Sequence, residues 1–226
     1  MNSINKNYSD FTTQNYSEFM TNLVTIWRNE KLSQSLLPYE EGIINEVTNL
    51  IEKKEAEIKD KKIDKNIKYY IEIDISRIKF IIKDYLRIRL MKIEKYLFFL
   101  LKNNKIDILS TNEIKFAAEL MDVKAAYFIQ GLKKMNSLAN NFFPFTDSSK
   151  DRVEKMQCIS DAMISKAPEN EFVIVQNVSN TKISINIKDI CKQYKGEFLT
   201  IDSGEKCLAP YKLIEPYLRR KQIKII

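Results

Sequence analysis

The chain has 226 residues, of which 44% are hydrophobic, 11% aromatic and 30% charged, and this composition is typical of one large or two small globular domains. It has no histidine, and its four glycines lack the spacing of a phosphate-binding loop, which excludes histidine-based catalysis, histidine-containing zinc sites and the usual nucleotide-binding loops. The formal net charge of +7 is spread over a mixed, lysine-rich sequence, and no apolar run reaches the roughly 20 residues of a membrane span. We therefore expect no enzyme activity, no metal, no cofactor and no membrane partner.

Four helices are predicted in the N-terminal part, after a polar tail over 1–15 that has no periodic pattern. The Leu37-Pro38 step ends the first helix, and Ser110-Thr111-Asn112-Glu113 has the pattern of a capping box at the start of the fourth. In the third helix apolar residues recur close to every 3.5 positions, among them Ile75, Ile78 and Tyr85, which predicts packing along its whole length. Short connections predict a bundle-type helical domain over 16–139. The predicted helices cover about 16–36, 39–58, 67–103 and 111–135, and the predicted inward face of the fourth contains Ile114, Ala117, Leu120, Met121, Phe128 and Leu132.

A small, mainly β domain is predicted over 170–226, after a linker over 140–169 that includes a short helix near 153–163. Alternation with a period of two predicts strands near Phe172, Ile183, Phe198 and Cys207 and at the chain end. Phe172 and Phe198 are predicted to be core residues rather than a base-stacking surface. The apolar C-terminus predicts a last strand that closes this domain. The expected fold class is α+β, with a helical domain of about four helices followed by the small β-rich domain.

The third helix carries three of the seven arginines of the chain, Arg77, Arg87 and Arg89. Arg87 follows Asp84 by three positions, which predicts an ordinary surface ion pair. Arg89 instead occupies a position in the apolar stripe, so its side chain either reaches along the helix to solvent or pairs across an interface. Because arginine is scarce in this lysine-rich chain, we favour pairing across an interface.

These residues also carry a resemblance to a known family. Residues 85–95, Tyr-Leu-Arg-Ile-Arg-Leu-Met-Lys-Ile-Glu-Lys, resemble the signature helix of the Sld-five subunit family of the eukaryotic GINS DNA replication complex. The segments Trp27-Arg-Asn-Glu-Lys and Leu36-Leu-Pro-Tyr are similar to the first helix and turn of that family. Leu208 to Pro216, together with the apolar C-terminus, resembles its final β element.

The resemblance implies a non-catalytic scaffold subunit that acts in the nucleus, in the initiation and elongation of DNA replication. Its implied partners are three other GINS subunits in a heterotetramer and, through that complex, the MCM helicase and further replisome factors, with DNA contacted at most indirectly. The third helix is then an assembly surface, with Tyr85, Arg87, Arg89, Lys92, Glu94, Tyr96 and Leu97 as expected subunit-interface residues. The expected structural core or interface residues elsewhere are Trp27, Ile223, Ile225 and Ile226.

A free-standing nucleic-acid-binding protein that uses its lysines is the alternative. The two interpretations differ in their dependence on salt. Binding through phosphate contacts weakens steeply as salt is added, whereas association through apolar helices does not.

Overall fold

The structure is a computed structural model that describes residues 13–59, 65–133, 164–186 and 198–226. The helices are α1 (Thr13–Leu32), α2 (Glu41–Lys59), α3 (Lys65–Lys102), α4 (Thr111–Lys133) and α5 (Tyr211–Arg219), with a short 3-10 helix at Lys105–Ile108. The strands are β1 (Phe172–Asn177), β2 (Ile183–Asn186), β3 (Phe198–Ile201), β4 (Lys206–Pro210) and β5 (Ile223–Ile225). The predicted α+β class is confirmed.

The predicted elements are close to those observed. α1 begins three residues earlier than expected, and the helical turn predicted near Ile214 is the nine-residue helix α5. The predicted capping box is present: the backbone N–H of Ser110 donates to the Glu113 carboxylate at 2.8 Å, and the N–H of Glu113 donates to the Ser110 hydroxyl at 3.3 Å. Residues 1–12 of the predicted tail and the helix predicted near 153–163 lie outside the described residues.

Contacts group the described residues into two compact units. The first unit contains residues of 1–33, 40–88 and 172–226, and the second contains those of 34–39 and 89–171. The predicted domain boundaries at 139 and 170 were placed where the sequence pattern changes from helix to strand. The two units are instead defined by which residues contact one another in space. The helix α3 contributes residues to both. No helix within the described ranges is long and apolar enough to cross a membrane.

The first unit combines α1, α2 and the N-terminal half of α3 with the β-rich segment. α1 contacts both α2 and the C-terminal strand β5. Three α3 residues of the predicted 3.5-residue repeat, Ile75, Ile78 and Tyr85, are buried here. The buried hydrophobic residues of its helices α1 to α3 are Leu23, Ile44, Val47, Ile51, Ile75, Ile78 and Tyr85.

The β-rich segment contains a three-stranded antiparallel sheet in the order β4-β1-β5 and an antiparallel pair, β2 and β3. α5 contacts β4 and β5. Asn177, which is 1% exposed, donates from its side-chain amide to the carbonyls of Thr181 and Ile201, and accepts from Ser179. This amide holds the turn after β1 against β3, because a buried amide is stable only when its polar atoms are paired.

The second unit is built around the C-terminal half of α3 and the start of α4. Its core cluster contains Leu36, Ile93, Tyr96, Leu97, Leu100, Ala117 and Met121. Ile114, predicted to be inward, is 38% exposed, and that prediction is wrong. The reason is that Glu113, which is buried, occupies the inward position of the first turn of α4. The side chains of Phe128 and Leu132 lie outside the described residues.

Candidate subunit interface

The largest fully buried side chain among the described residues is that of Arg89. Its guanidinium forms a two-point ion pair with Glu113, in which Nε donates to Oε1 at 2.7 Å and a terminal nitrogen donates to Oε2 at 3.0 Å. Its terminal nitrogens also donate to the backbone carbonyls of Leu37, at 2.7 Å, and Ile108, at 3.0 Å. The carbon of the guanidinium lies 5.3 Å from the centre of the Tyr39 ring. A flat cation with five N–H donors suits this arrangement, which an ammonium group could not reproduce.

The prediction that Arg89 pairs across an interface is therefore wrong. Its carboxylate partner lies 24 residues further along the same chain, on α4. The same correction applies to three other predicted interface residues, because they are buried within this chain: Tyr85 at 1% exposed, Tyr96 at 5% and Leu97 at 0%. Sequence reasoning identified the unusual position of Arg89 but could not distinguish a partner within the chain from one outside it.

A second charged site surrounds Asp84, which is also buried. The Trp27 indole N–H donates to its carboxylate at 2.8 Å, Arg87 donates at 2.6 Å, and the Lys31 ammonium lies 3.8 Å away. The indole hydrogen bond, followed by the charges of Arg87 and Lys31, holds the pKa of Asp84 below its ordinary value of 3.8, although burial acts in the opposite direction. The predicted pair of Arg87 with Asp84 is confirmed, and Trp27 has a structural role on α1.

Asn29, two residues after Trp27 on α1, contacts the C-terminal strand β5. Its side-chain oxygen accepts a hydrogen bond from the backbone N–H of Ile225, at 2.9 Å. Among the described strands β5 lies at the edge of its sheet, so this N–H has no partner in those strands on its outer side, and Asn29 satisfies it. Ile223 and Ile225 are buried, as predicted, whereas Ile226 is 39% exposed and is not a core residue.

Three polar residues of the predicted interface retain accessible surface on α3. Glu94 is exposed, and Lys124 of α4 donates to its backbone carbonyl. Lys92 is half-buried and donates to the carbonyl of Ser35 at 3.1 Å. Arg87 also reaches solvent, with 73% of its side chain exposed. These three side chains are accessible at least in part, unlike Arg89.

An exposed apolar stripe runs along the N-terminal half of α3, on the side opposite its buried residues. Tyr69, Ile73 and Phe80 are 62%, 37% and 63% exposed, at spacings of four and seven residues that place them on one helix face. They line an open groove of about 490 Å³. The described lining of this groove is Tyr69, Glu72, Ile73, Ser76, Arg77, Phe80 and Ile81. We call Tyr69, Ile73 and Phe80 the α3 stripe.

Sequence reasoning missed the α3 stripe because it followed only the 3.5-residue repeat of the third helix. The signal was present, since these residues are out of phase with the heptad positions that contain Ile75 and Ile78. Adjacent large hydrophobic residues exposed on one helix face mark an interaction surface. In the described part of the chain, no group of three or more acidic or cysteine residues is arranged to hold a metal.

This chain is similar to a family of known proteins. The Sld5 family, described as the GINS complex protein helical bundle domain, matches residues 43–130, which contain α3 and most of α2 and α4. The chain is 33% identical over 156 residues to a "DNA replication complex GINS protein SLD5" from Dictyostelium discoideum, a match that covers 64% of this chain and 73% of the relative.

The chain belongs to the GINS SLD5 family.

Other SLD5 proteins match over nearly the whole chain. The relative from Arabidopsis thaliana is 27% identical over 224 residues, or 96% of each chain, and the one from Schizosaccharomyces pombe is 22% identical over 214 residues, or 90% of each. The resemblance read from residues 85–95 is confirmed. In this SLD5 chain, however, the segment contains the buried Arg89 and its surrounding core as well as solvent-facing residues.

Proposed function

We propose that this chain is a non-catalytic scaffold subunit of a heterotetrameric GINS complex. In this proposal it acts in the nucleus, in the initiation and elongation of DNA replication, with three other GINS subunits. Through them it joins the MCM helicase and further replisome factors, and DNA is contacted at most indirectly. The relatives support this proposal, since each carries the name "DNA replication complex GINS protein".

The observation that carries the proposal is the α3 stripe. A tyrosine, an isoleucine and a phenylalanine on one exposed helix face, beside an open groove, suit the side of another helical subunit. Association of this kind buries aromatic residues at the centre of an interface and leaves charged residues at its rim. Arg87, Lys92 and Glu94, which retain accessible surface on the same helix, are proposed as rim contacts.

Co-expression with the three other GINS subunits, followed by size-exclusion chromatography with light scattering, tests the proposal. We expect one soluble complex with one copy of each subunit. Phe80→Glu places a charge in the stripe, at one of its two most exposed residues, and should weaken association roughly 30-fold or more. Asn49→Glu is the matched control, because it adds the same charge to an exposed position of α2 outside the stripe.

The outcomes separate the parts of the proposal. If the wild-type chain does not co-purify with the other subunits, the subunit role is wrong. If it does, and Phe80→Glu assembles as well as Asn49→Glu, the α3 stripe is not the interface.

A further inference from the structure

The three-stranded sheet β4-β1-β5 is apolar on both of its faces. One face is buried, and it contains Val173, Val175, Ala209, Ile223 and Ile225. The residues that alternate with them point to the opposite face. There Phe172 is 64% exposed, Ile174 52% and Leu208 61%. The prediction that Phe172 is a core residue is wrong, and Phe198 on β3, 59% exposed, is not a core residue either.

The strand register arranges this exposed face in three rows. Ile174 lies opposite Leu208 on β4, and on its other side the N–H of Ile226 donates to the Ile174 carbonyl. Phe172 lies opposite Pro210 in the row on one side. The row on the other side is polar and basic, with Gln176 between Lys206 and Lys224. We call the face made by these three rows the sheet face.

The sheet face is positively charged. Lys206 is exposed and Lys224 is half-buried, and neither forms an ion pair with a described residue. No acidic side chain projects from the three strands on this side of the sheet, since positions 172, 174, 176, 206, 208, 210 and 224 contain none. Glu171 precedes Phe172 at the end away from the lysines. An occupant is therefore attracted if it has apolar side chains for the central rows and negative charge for the lysine row.

The dimensions of the apolar rows fit one helix. Three strands about 4.8 Å apart make a row roughly 10 Å wide, and two rows are separated by roughly 7 Å along the strands. This area accommodates the apolar side of a single amphipathic helix, which is about 10 Å across.

We propose that the sheet face binds an acidic amphipathic helix of a partner protein, with its apolar residues on Phe172, Ile174 and Leu208 and its carboxylates on Lys206 and Lys224. A single-stranded nucleic acid is the less suitable occupant, because bases stack on aromatic rings and Phe172 is the one aromatic residue of this face. The sheet face belongs to a different surface from the α3 stripe, and the inference goes beyond the proposed subunit role.

Site-specific photo-crosslinking in the full-length chain tests the inference. A photoreactive phenylalanine derivative replaces Phe172, and the chain is expressed in dividing cells. After irradiation the cross-linked segment is identified by mass spectrometry. The same residue placed at Lys212, an exposed position on α5, is the control. We expect a protein segment with apolar residues at helical spacing and a net negative charge. Lys206→Glu with Lys224→Glu should reduce the yield about tenfold, whereas Lys206→Arg with Lys224→Arg should preserve it.

Four results would overturn the inference: a cross-link to nucleic acid, to lipid or to this chain itself, a partner segment that is neutral or basic, a yield no greater than at position 212, or a yield unchanged by charge reversal. Because Lys206 is exposed and Lys224 is only half-buried, circular dichroism of the charge-reversed chain should match that of the wild type. That comparison separates a lost contact from a lost fold.

Discussion

At the scale of single residues, Arg89 connects three segments of the second unit. Its guanidinium bonds to the Leu37 carbonyl before α2, to the Ile108 carbonyl in the 3-10 helix, and to Glu113 at the start of α4. Glu113 in turn accepts the N–H of Ser110, so one carboxylate neutralises the buried cation and caps a helix. Removing either charge leaves the other buried without a counter-charge, which is far more costly than losing a surface pair.

Arg89→Met should therefore lower the free energy of unfolding of the full-length chain by about 3–5 kcal/mol, and its helical circular dichroism should fall together with assembly. Arg89→Lys should be intermediate, because it keeps the charge but loses the two-point geometry. Arg87→Met is the control, expected to cost about 1 kcal/mol or less, since that side chain is mostly exposed. Urea denaturation measures all three variants, and equal losses at both arginines would contradict the structural role of Arg89.

Asp84 predicts a dependence of stability on pH. Its folded-state pKa lies below the ordinary value of 3.8, so its stabilising effect is complete above that pH and is lost as the pH falls through the folded-state pKa. Trp27→Phe removes the largest cause of the lowered pKa and should cost about 1 kcal/mol at pH 7.

The difference in unfolding free energy between Trp27→Phe and wild type should shrink as the pH falls below 3.8. Urea denaturation at pH 7 and near pH 3 measures this change. In an Asp84→Asn background the same substitution should have an effect that is independent of pH. A constant difference in the wild-type background would show that Trp27 stabilises through packing alone.

At the scale of helices and strands, periodicity predicted most of the described fold. The 3.5-residue repeat placed Ile75, Ile78 and Tyr85 correctly, and the period-two segments correspond to the observed strands. Two kinds of position were mispredicted. Ile114 fits the helical pattern, but the pattern does not reveal that its charged neighbour Glu113 occupies the inward site. Phe172 fits the strand pattern, but the pattern does not reveal that the sheet is apolar on both faces.

The terminal strand offers a test at this scale. β5 pairs with β1 over three residue pairs and buries Ile223 and Ile225. Deleting 222–226 removes this strand, and with it the hydrogen bond from the Ile225 N–H to the side chain of Asn29. In limited proteolysis the truncated chain should therefore be cut rapidly beyond residue 168. Ile225→Ala should cost about 2–5 kcal/mol, whereas Ile226→Ala, at an exposed position, should cost well under half of that. Protease resistance equal to that of the full-length chain would show that β5 is dispensable.

At the scale of the whole molecule, two surfaces with different chemistry are exposed on the first unit. The α3 stripe is apolar throughout and lies beside a groove, whereas the sheet face combines apolar residues with two lysines. Association through an apolar surface is insensitive to salt, whereas contacts made by lysines weaken as salt is added. Ionic strength can therefore separate the two kinds of binding in one protein.

The isolated chain should self-associate or aggregate, and this behaviour should persist between 0.15 and 1 M NaCl as measured by light scattering. Tyr69→Glu combined with Phe80→Glu should shift it towards the monomer. Affinity for a short single-stranded oligonucleotide should be weak and should disappear at the higher salt concentration. A monodisperse monomer of the unmodified chain, or tight oligonucleotide binding at 1 M NaCl, would contradict this prediction.

The hydrogen bond between Asn29 and Ile225 joins residues 196 positions apart, which constrains the order in which the chain can fold during translation. At 5 to 20 residues per second, a ribosome needs roughly 10 to 40 s to proceed from one to the other. The segments of the second unit can all form contacts within that interval, whereas α1 cannot meet β5 until Ile225 has been synthesised. The first unit therefore stays incomplete until β5 has been made, and this late, long-range closure is the step at which a chaperone or a waiting partner subunit can act.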